Sequence, residues 1–336
     1  MLTMIISLLI GFIVTFLITP KTIIFLERIG IVGTDIQKFN RPKIAEMGGL
    51  PVLMGFLSAV FTFVWITTFI IKSQSSLISI FAGISTILII TLIGMLDDMS
   101  TLMKRPVGRF KKIGLKQWQK PLLTLPAAIP LMAIMAGSSQ MSVPFIGTVD
   151  FGILYPLILV PIAIVGSSNA FNMLAGLNGL EAGLGTVLLS TLGIYAYTIG
   201  EIQASIIALS IAVSLLAFLF YNWNPAKILP GDSLVYMIGA SVAIVAVIGN
   251  MEKIALLAFL PWFFEFLLKA RSRFKAESFG RIEKDGILTA PYKKIYSLTH
   301  IPMKLGKFSE QTITSILIIT EALLCVFLLW FYTFVV

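Results

Sequence analysis

Long apolar runs separated by short polar stretches dominate the 336-residue chain. A buried soluble helix accounts for apolar runs of about 10–14 residues, but most of these reach about 18 or more, the length a helix needs to cross a bilayer. Ten spans are predicted, at roughly 2–20, 48–71, 77–95, 119–136, 151–168, 180–199, 203–221, 233–249, 253–269 and 312–335. The first lacks the basic start and small-residue cleavage site of a signal peptide, and further spans follow, so it is expected to be retained. The expected fold class is all-α: a polytopic integral membrane protein of about ten transmembrane helices, in one domain over residues 1–336.

Composition agrees. With 57% hydrophobic and 12% charged residues and a mean hydropathy of +0.97, an ordinary soluble domain is excluded. The single cysteine, Cys325, falls inside the last span, which leaves neither a disulfide framework nor a thiolate cluster for metal. No Asn-x-Ser/Thr sequon, repeat or low-complexity tract occurs.

The net charge of +9 could point to nucleic acid, but its distribution points to a membrane. Ten spans leave nine loops, and the odd-numbered loops hold 23 of the 25 Lys and Arg, including those at span ends; the even loops hold only Lys72 and Lys253. The positive-inside rule makes the odd face cytosolic, with both termini on the other side. The cytosolic loops are then about 20–47, 96–118, 169–180, 222–232 and 270–311, and no nucleic acid is expected as a partner.

The concentrated polar motifs also fall in odd loops. Loop five carries NAFNMLAGLNGLEAG, Asn169 to Gly183, a density of amides, carboxylate and glycine that is costly at a membrane boundary unless it binds something. Asn169 and Asn172 are three apart and share one face of a helix. Loop three opens with Asp97 and Asp98 directly after an apolar run, where adjacent, partly desolvated carboxylates repel and call for a cation. Six basic residues follow before Lys120, a field that collects anionic substrate or lipid head groups. Lys120 stands at the membrane boundary, either as a snorkelling anchor or as a contact for lipid phosphate. In loop seven, NWNPAKILPGDSLVY places Asp232 after a Pro-Gly turn, as a helix N-cap or as a carboxylate aimed at the cleft of Asn172. In loop one, Glu46 precedes Gly48 and Gly49, which permit close backbone approach. Loop nine, with ten basic residues and the lone His300, suits a patch on anionic lipid or a lid over an anionic substrate. Walker-type, HExxH and GxSxG patterns are absent from the sequence.

Together DDMST, NAFNMLAGLNGLEAG, PGDSLVY and WQKPLL resemble the polyprenyl-phosphate N-acetylhexosamine-1-phosphate transferase superfamily, and within it the dolichyl-phosphate GlcNAc branch of eukaryotes and archaea. Ten spans with both termini outside is that family's architecture. The resemblance implies transfer of GlcNAc-1-phosphate from UDP-GlcNAc to a polyprenyl (dolichyl) phosphate, giving polyprenyl-diphosphate-GlcNAc and UMP. It implies Mg²⁺, with Mn²⁺ as an alternative, held by Asn172 and Asp232, with Asn169 in support. Asp97 and Asp98 would be the catalytic carboxylates, and Lys120 would contact phosphate. Asn178 and the backbone near Gly176 would meet the uracil, Glu46 the GlcNAc, and Arg281 sugar or diphosphate. Membrane lipid is a further partner, and a homodimer is allowed.

Three departures refine the resemblance. Thr101 stands where many relatives carry a third Asp or Asn; Ala175 and Asn178 replace aspartates of the bacterial signature; and His300 alone does not reproduce a histidine-rich loop nine. These favour an archaeal over a bacterial cell membrane, or the endoplasmic reticulum in a eukaryote, with the site facing the cytosol. The alternatives are transfer of another UDP-N-acetylhexosamine to undecaprenyl phosphate, or transport of an anionic solute. Against the transporter, matching broken helices do not recur in two halves. A non-catalytic scaffold would have no need of Asp97, Asp98, Asn172 and Asp232 on one face.

Overall fold

The computed structural model describes residues 1–73, 77–102, 118–143, 146–283 and 285–335. The protein is an all-α polytopic membrane protein, and among the described residues seven helices are long and apolar enough to cross a bilayer. In chain order the elements are α1 (Leu2–Arg28), β1 (Val32–Thr34), β2 (Lys43–Glu46), α2 (Gly49–Trp65, continued by a π-turn Ile66–Ile70), α3 (Ile78–Leu102), α4 (Gln119–Thr124) and α5 (Ile129–Ala133). There follow β3 (Gln140–Val143), β4 (Gly147–Asp150), α6 (Val160–Phe171), α7 (Leu180–Thr198), α8 (Ile202–Asn222), β5 (Ile228–Leu229) and α9 (Gly231–Ile248). The chain closes with α10 (Glu252–Ala258), α11 (Leu260–Arg271), β6 (Arg281–Ile282), β7 (Ile287–Thr289), α12 (His300–Leu305), β8 (Phe308–Ser309) and α13 (Glu310–Phe334).

Two of the ten predicted spans are broken and a third carries a π-turn, and each contains proline. Residues 119–136 resolve into α4, a 3₁₀ turn Leu125–Ala128 and α5, with Pro121, Pro126 and Pro130 each removing an amide donor. Residues 151–168 begin with a π-turn, Tyr155–Leu159, before α6, and carry Pro156 and Pro161. Residues 253–269 break at Phe259, where α10 stops and Pro261 starts α11. Apolar length made these runs look like single rods, whereas the prolines set where the rods break.

Helix α9 is the central element, with 89% of its apolar stretch buried against 28% for α1 and for α13. Two glycines let neighbours touch its backbone. A Cβ at Gly94 of α3 would lie 2.5 Å from Ser233 Cα, and one at Gly239 would lie 2.4 Å from the Ser167 carbonyl oxygen of α6. Small residues of this kind are what allow helices to close up within a membrane. Gly94→Val is therefore expected to destabilise the protein by about 1–3 kcal/mol through overpacking. Thermal unfolding in detergent would detect this, and an unchanged transition would refute the close approach.

Short strands tie the loops together at one end of the bundle. β1 pairs antiparallel with β2, and β2 pairs parallel with β5, setting Glu46 opposite Leu229. β6, β7 and β8 form a second sheet that closes the last loop onto the start of α13. Because α1 ends and α13 begins at this end, the two chain termini lie at the opposite one.

Candidate active site

Four loops converge on the first turn of α9. Gly231 takes φ +68°, and Asp98, from the C-terminal part of α3, packs against it so closely that a Cβ there would lie 2.5 Å from Asp98 Oδ2. The Asp98 carboxylate accepts from the Asp232 amide at 2.6 Å and the Ser233 amide at 3.1 Å. It thereby caps two of the free N–H groups of the helix start from another helix. Asp97 is also buried, accepting from the Tyr236 hydroxyl at 3.3 Å and lying 2.9 Å from Lys120 Nζ.

Lys120, on α4, bridges two carboxylates, with its Nζ 2.9 Å from Asp97 and 2.8 Å from Asp232, and lies 5.7 Å from the centre of the Tyr236 ring. The other oxygen of Asp232 accepts from the Asn172 amide nitrogen at 2.7 Å. Asn169, in the last turn of α6, donates to the Val165 carbonyl at 2.8 Å and to the Thr124 hydroxyl at 3.3 Å, which fastens α6 to α4 behind Asn172. The shared helical face expected of Asn169 and Asn172 is thus the C-terminal end of α6, with Asn172 as its cap.

These groups open on a cleft of about 790 Å³. Of the ten residues implicated by sequence, eight line it: Glu46, Asp98, Lys120, Asn169, Asn172, Gly176, Asn178 and Asp232. Asp97 lies behind them and acts through Lys120. Arg281 is placed elsewhere: it is exposed on β6, opposite Thr289, and is not among the described residues lining the cleft. Its side chain is exposed there, so the structure does not bring Arg281 together with the other site residues. The six basic residues of loop three and the side chain of Thr101 lie outside the described residues.

The amide-rich loop is held by acidic residues. Gly176, at φ +108°, donates its N–H to Glu181 Oε1 at 2.6 Å, and its missing side chain leaves room for the Phe279 ring, which a Cβ would approach to 2.3 Å. Asn178 donates its backbone N–H to Glu310 at 2.7 Å and its side-chain nitrogen to Asp35 at 2.9 Å. The carboxyl of Glu46 folds over Gly33, and burial, reinforced by the charge of Asp232, pushes its pKa up to about 7. Sequence reasoning missed Asp35, Glu310 and Lys269, and noted Glu181 only as the carboxylate of the loop-five segment. Asp35 and Lys269 stand among charged neighbours that look solvated, Glu310 reads as a helix start, and nothing local marks any of them as buried.

The cleft is acidic within a basic protein. Its described lining includes the carboxylates of Asp35, Glu46, Asp98, Glu181, Asp232 and Glu277 against the ammonium groups of Lys120 and Lys269. No cluster of three or more His, Cys, Asp or Glu residues suited to a metal occurs among the described residues. The oxygens of Asp232 and Asn172 form a sparser set, one carboxylate and one amide. A small hard cation that keeps several waters and takes phosphate oxygens from its ligand suits such a pair, and the excess of carboxylates favours it. By donor type the pair fits Mg²⁺, although in this structure Asp232 Oδ1 accepts from the Asn172 nitrogen and Oδ2 pairs with Lys120, so both would have to turn to the ion.

A sequence profile of glycosyl transferase family 4 matches residues 80–250, from α3 to the end of α9. The chain belongs to that family. A Saccharolobus solfataricus protein provisionally named UDP-N-acetylglucosamine–dolichyl-phosphate N-acetylglucosaminephosphotransferase is 36% identical over 327 residues, covering 97% of this chain and 95% of the relative. The Dictyostelium discoideum protein of that name is 25% identical, covering 94% and 82%. A phospho-N-acetylmuramoyl-pentapeptide-transferase of Halalkalibacterium halodurans is 27% identical, covering 74% and 76%. The family match spans α3, α4, α6 and α9, which carry Asp97, Asp98, Lys120, Asn169, Asn172 and Asp232.

Proposed function

We propose that this family member transfers GlcNAc-1-phosphate from UDP-GlcNAc to a polyprenyl phosphate of the dolichyl type, releasing UMP. The observation that carries the reading is the Asn172–Asp232–Lys120–Asp97 chain of contacts at the floor of one cleft, built from separate loops. Near-full-length similarity to proteins named for this reaction supports it. Ala175 and Asn178, both in the cleft lining, support the dolichyl branch over the pentapeptide-transferases.

In the reaction an oxygen of the lipid phosphate attacks the phosphorus that bears GlcNAc. The bond from that phosphorus to the bridging oxygen breaks, and UMP leaves with that oxygen. Asn172 and Asp232 would hold Mg²⁺, or Mn²⁺, which when bound neutralises the diphosphate and helps UMP to leave. Asp97 holds Lys120 at the cleft floor, where its ammonium faces the approaching phosphates. Asp98 fixes the backbone from which Asp232 projects. Gly176 and Asn178 face the nucleotide, and Glu46 the sugar.

A phosphate monoester has a second pKa of about 6 and is largely dianionic near neutral pH, so attack needs no strong base. Both aspartates are committed to protein partners: Asp98 holds two amides, and Asp97 holds Lys120 and Tyr236. A nucleophile that is already dianionic favours a single displacement over a phospho-aspartate intermediate. The basic odd loops favour a cytosolic site, where a soluble sugar nucleotide meets a membrane lipid.

The test is direct. Purified protein with radiolabelled UDP-GlcNAc, dolichyl phosphate and Mg²⁺ is expected to give a labelled glycolipid and UMP, and EDTA to abolish both. Failure to label lipid with any UDP-sugar would overturn the reading. Labelling only with undecaprenyl phosphate would move the chain to the bacterial type of chemistry.

A further inference from the structure

Asn178 lines the cleft, yet most of its polar atoms are committed to the protein. Its backbone N–H goes to Glu310, its backbone carbonyl accepts from the Thr314 hydroxyl at 3.4 Å, and its side-chain nitrogen donates to Asp35 Oδ2 at 2.9 Å. Asp35 is itself fixed: its Oδ1 accepts from the Gln37 amide at 3.2 Å, and Lys38 Nζ lies 3.9 Å from Oδ2. Lys38 also pairs with Glu310, which joins the loop after α1 to the first turn of α13. Asp35 and Asn178 are both buried, at 5% exposure. An amide usually offers a ligand either its donor or its acceptor. A carboxylate only accepts, so Asp35 fixes which end of the Asn178 amide is turned towards it, the NH₂, and with it the side of the oxygen.

We infer that Asp35 is a positioning residue that sets base choice: by holding the nitrogen of Asn178 it presents the amide oxygen to the cleft, where that oxygen accepts the imide N3–H of uracil and opposes the N3 lone pair of cytosine. The inference rests on the proposed binding of a uridine nucleotide. Ile36, Leu177 and Leu229 line the same cleft and supply apolar surface for a flat base. The backbone of Asn178 is pinned from α13 on both its amide and its carbonyl, so the side chain has little freedom to satisfy a mismatched base by moving bodily. A site built around a buried hydrogen-bonding group discriminates strongly because the wrong partner leaves that group unpaired.

The swap of the two residues tests this. Asp35→Asn loses the obligatory acceptor, so the Asn178 amide can turn over; Asn178→Asp sets two carboxylates against each other. The double variant, Asp35→Asn with Asn178→Asp, restores one donor and one acceptor at the same positions and again points an oxygen into the cleft. UDP and CDP would be compared as competitors of UDP-GlcNAc turnover in each protein, with UDP affinity measured separately by calorimetry. The wild type is expected to prefer UDP; Asp35→Asn is expected to lose about tenfold of that preference, the size of effect of one hydrogen bond to a charged group. The double variant is expected to recover to within about twofold. A purely structural role for Asp35 would weaken both nucleotides together and leave their ratio unchanged.

An Asp35→Asn protein with the wild-type ratio would overturn the inference while leaving the uridine reading in place. A wild type with no preference for UDP over CDP would overturn that reading, and the inference with it. If Asp35→Asn does not fold, the double variant decides: retained UDP preference supports the clamp, and lost preference overturns it.

Discussion

Lys120→Met is expected to lower kcat/KM by about 10²–10⁴-fold, the largest loss of any single substitution at the site. The ammonium lies within 3 Å of both Asp97 and Asp232, and Asp97 is almost fully buried. Removing one partner of a buried ionic cluster leaves its carboxylates uncompensated, at a cost of about 3–5 kcal/mol, and each 1.36 kcal/mol corresponds to tenfold in rate. Part of that loss is expected in stability, because Asp97 and Asp232 would then repel each other across the gap. Steady-state kinetics paired with thermal unfolding separate the two. Adding Asp97→Asn to Lys120→Met should recover stability without recovering turnover, since it removes the repulsion but returns no cation to the phosphates. A Lys120→Met protein with near-normal kcat/KM would eliminate Lys120 from the chemistry. Lys120→Arg is expected to be poor as well, because a planar fork does not reproduce a compact ammonium shared between two carboxylates.

The cluster also explains how a cleft lined by carboxylates serves anionic substrates. Among the described residues six acidic side chains face two lysines, and even with Glu46 only partly ionised near neutral pH this excess disfavours a diphosphate. Lys120 offsets part of it, and Asn172 contributes an amide where a further carboxylate would deepen the repulsion. A bound divalent cation would turn the remaining acidic excess into a phosphate site. If the basic odd-numbered loops lie on the same side as the cleft, as the charge distribution of the sequence implies, they would act at longer range and raise the local concentration of an anionic substrate.

What the sequence made legible was chemistry held within short segments. Apolar length marks the spans, the polar density of NAFNMLAGLNGLEAG stands out against it, and the family resemblance of that segment then pointed to Asn172, Gly176 and Asn178. The same reasoning overestimated the regularity of residues 119–136, 151–168 and 253–269, where proline interrupts a hydropathy signal that averages over it. It also misplaced functions that depend on partners distant in the chain. Asp97 and Asp98 read as adjacent, partly desolvated carboxylates, and what the sequence did not show is the partner of each: Lys120 and Tyr236 for Asp97, and the backbone of α9 for Asp98. Asp35 was invisible because its partner is 143 residues away. Arg281 was named from the resemblance as a basic residue of loop nine, and it lies on β6 opposite Thr289, outside the described lining of the cleft.

The division of labour between the two aspartates leads to the second large effect. Asp98→Asn is expected to lower turnover by about 10–100-fold while changing UDP affinity by less than about threefold. Asparagine offers one acceptor oxygen where two backbone amides, those of Asp232 and Ser233, now each find one. One of them then faces an NH₂ group, and an orphaned buried donor costs about 1–3 kcal/mol. The strain falls on the backbone of Asp232, so its carboxylate shifts relative to Asn172 and Lys120, which would hold the cation and the phosphates. Nucleotide affinity should be spared because Asn178 is anchored independently, by Glu310 and Asp35. Calorimetry with UDP beside single-turnover kinetics makes the separation visible. Equal losses in binding and turnover would mean that Asp98 shapes the whole cleft, and unchanged turnover would mean that the α9 N-terminus holds its position without it.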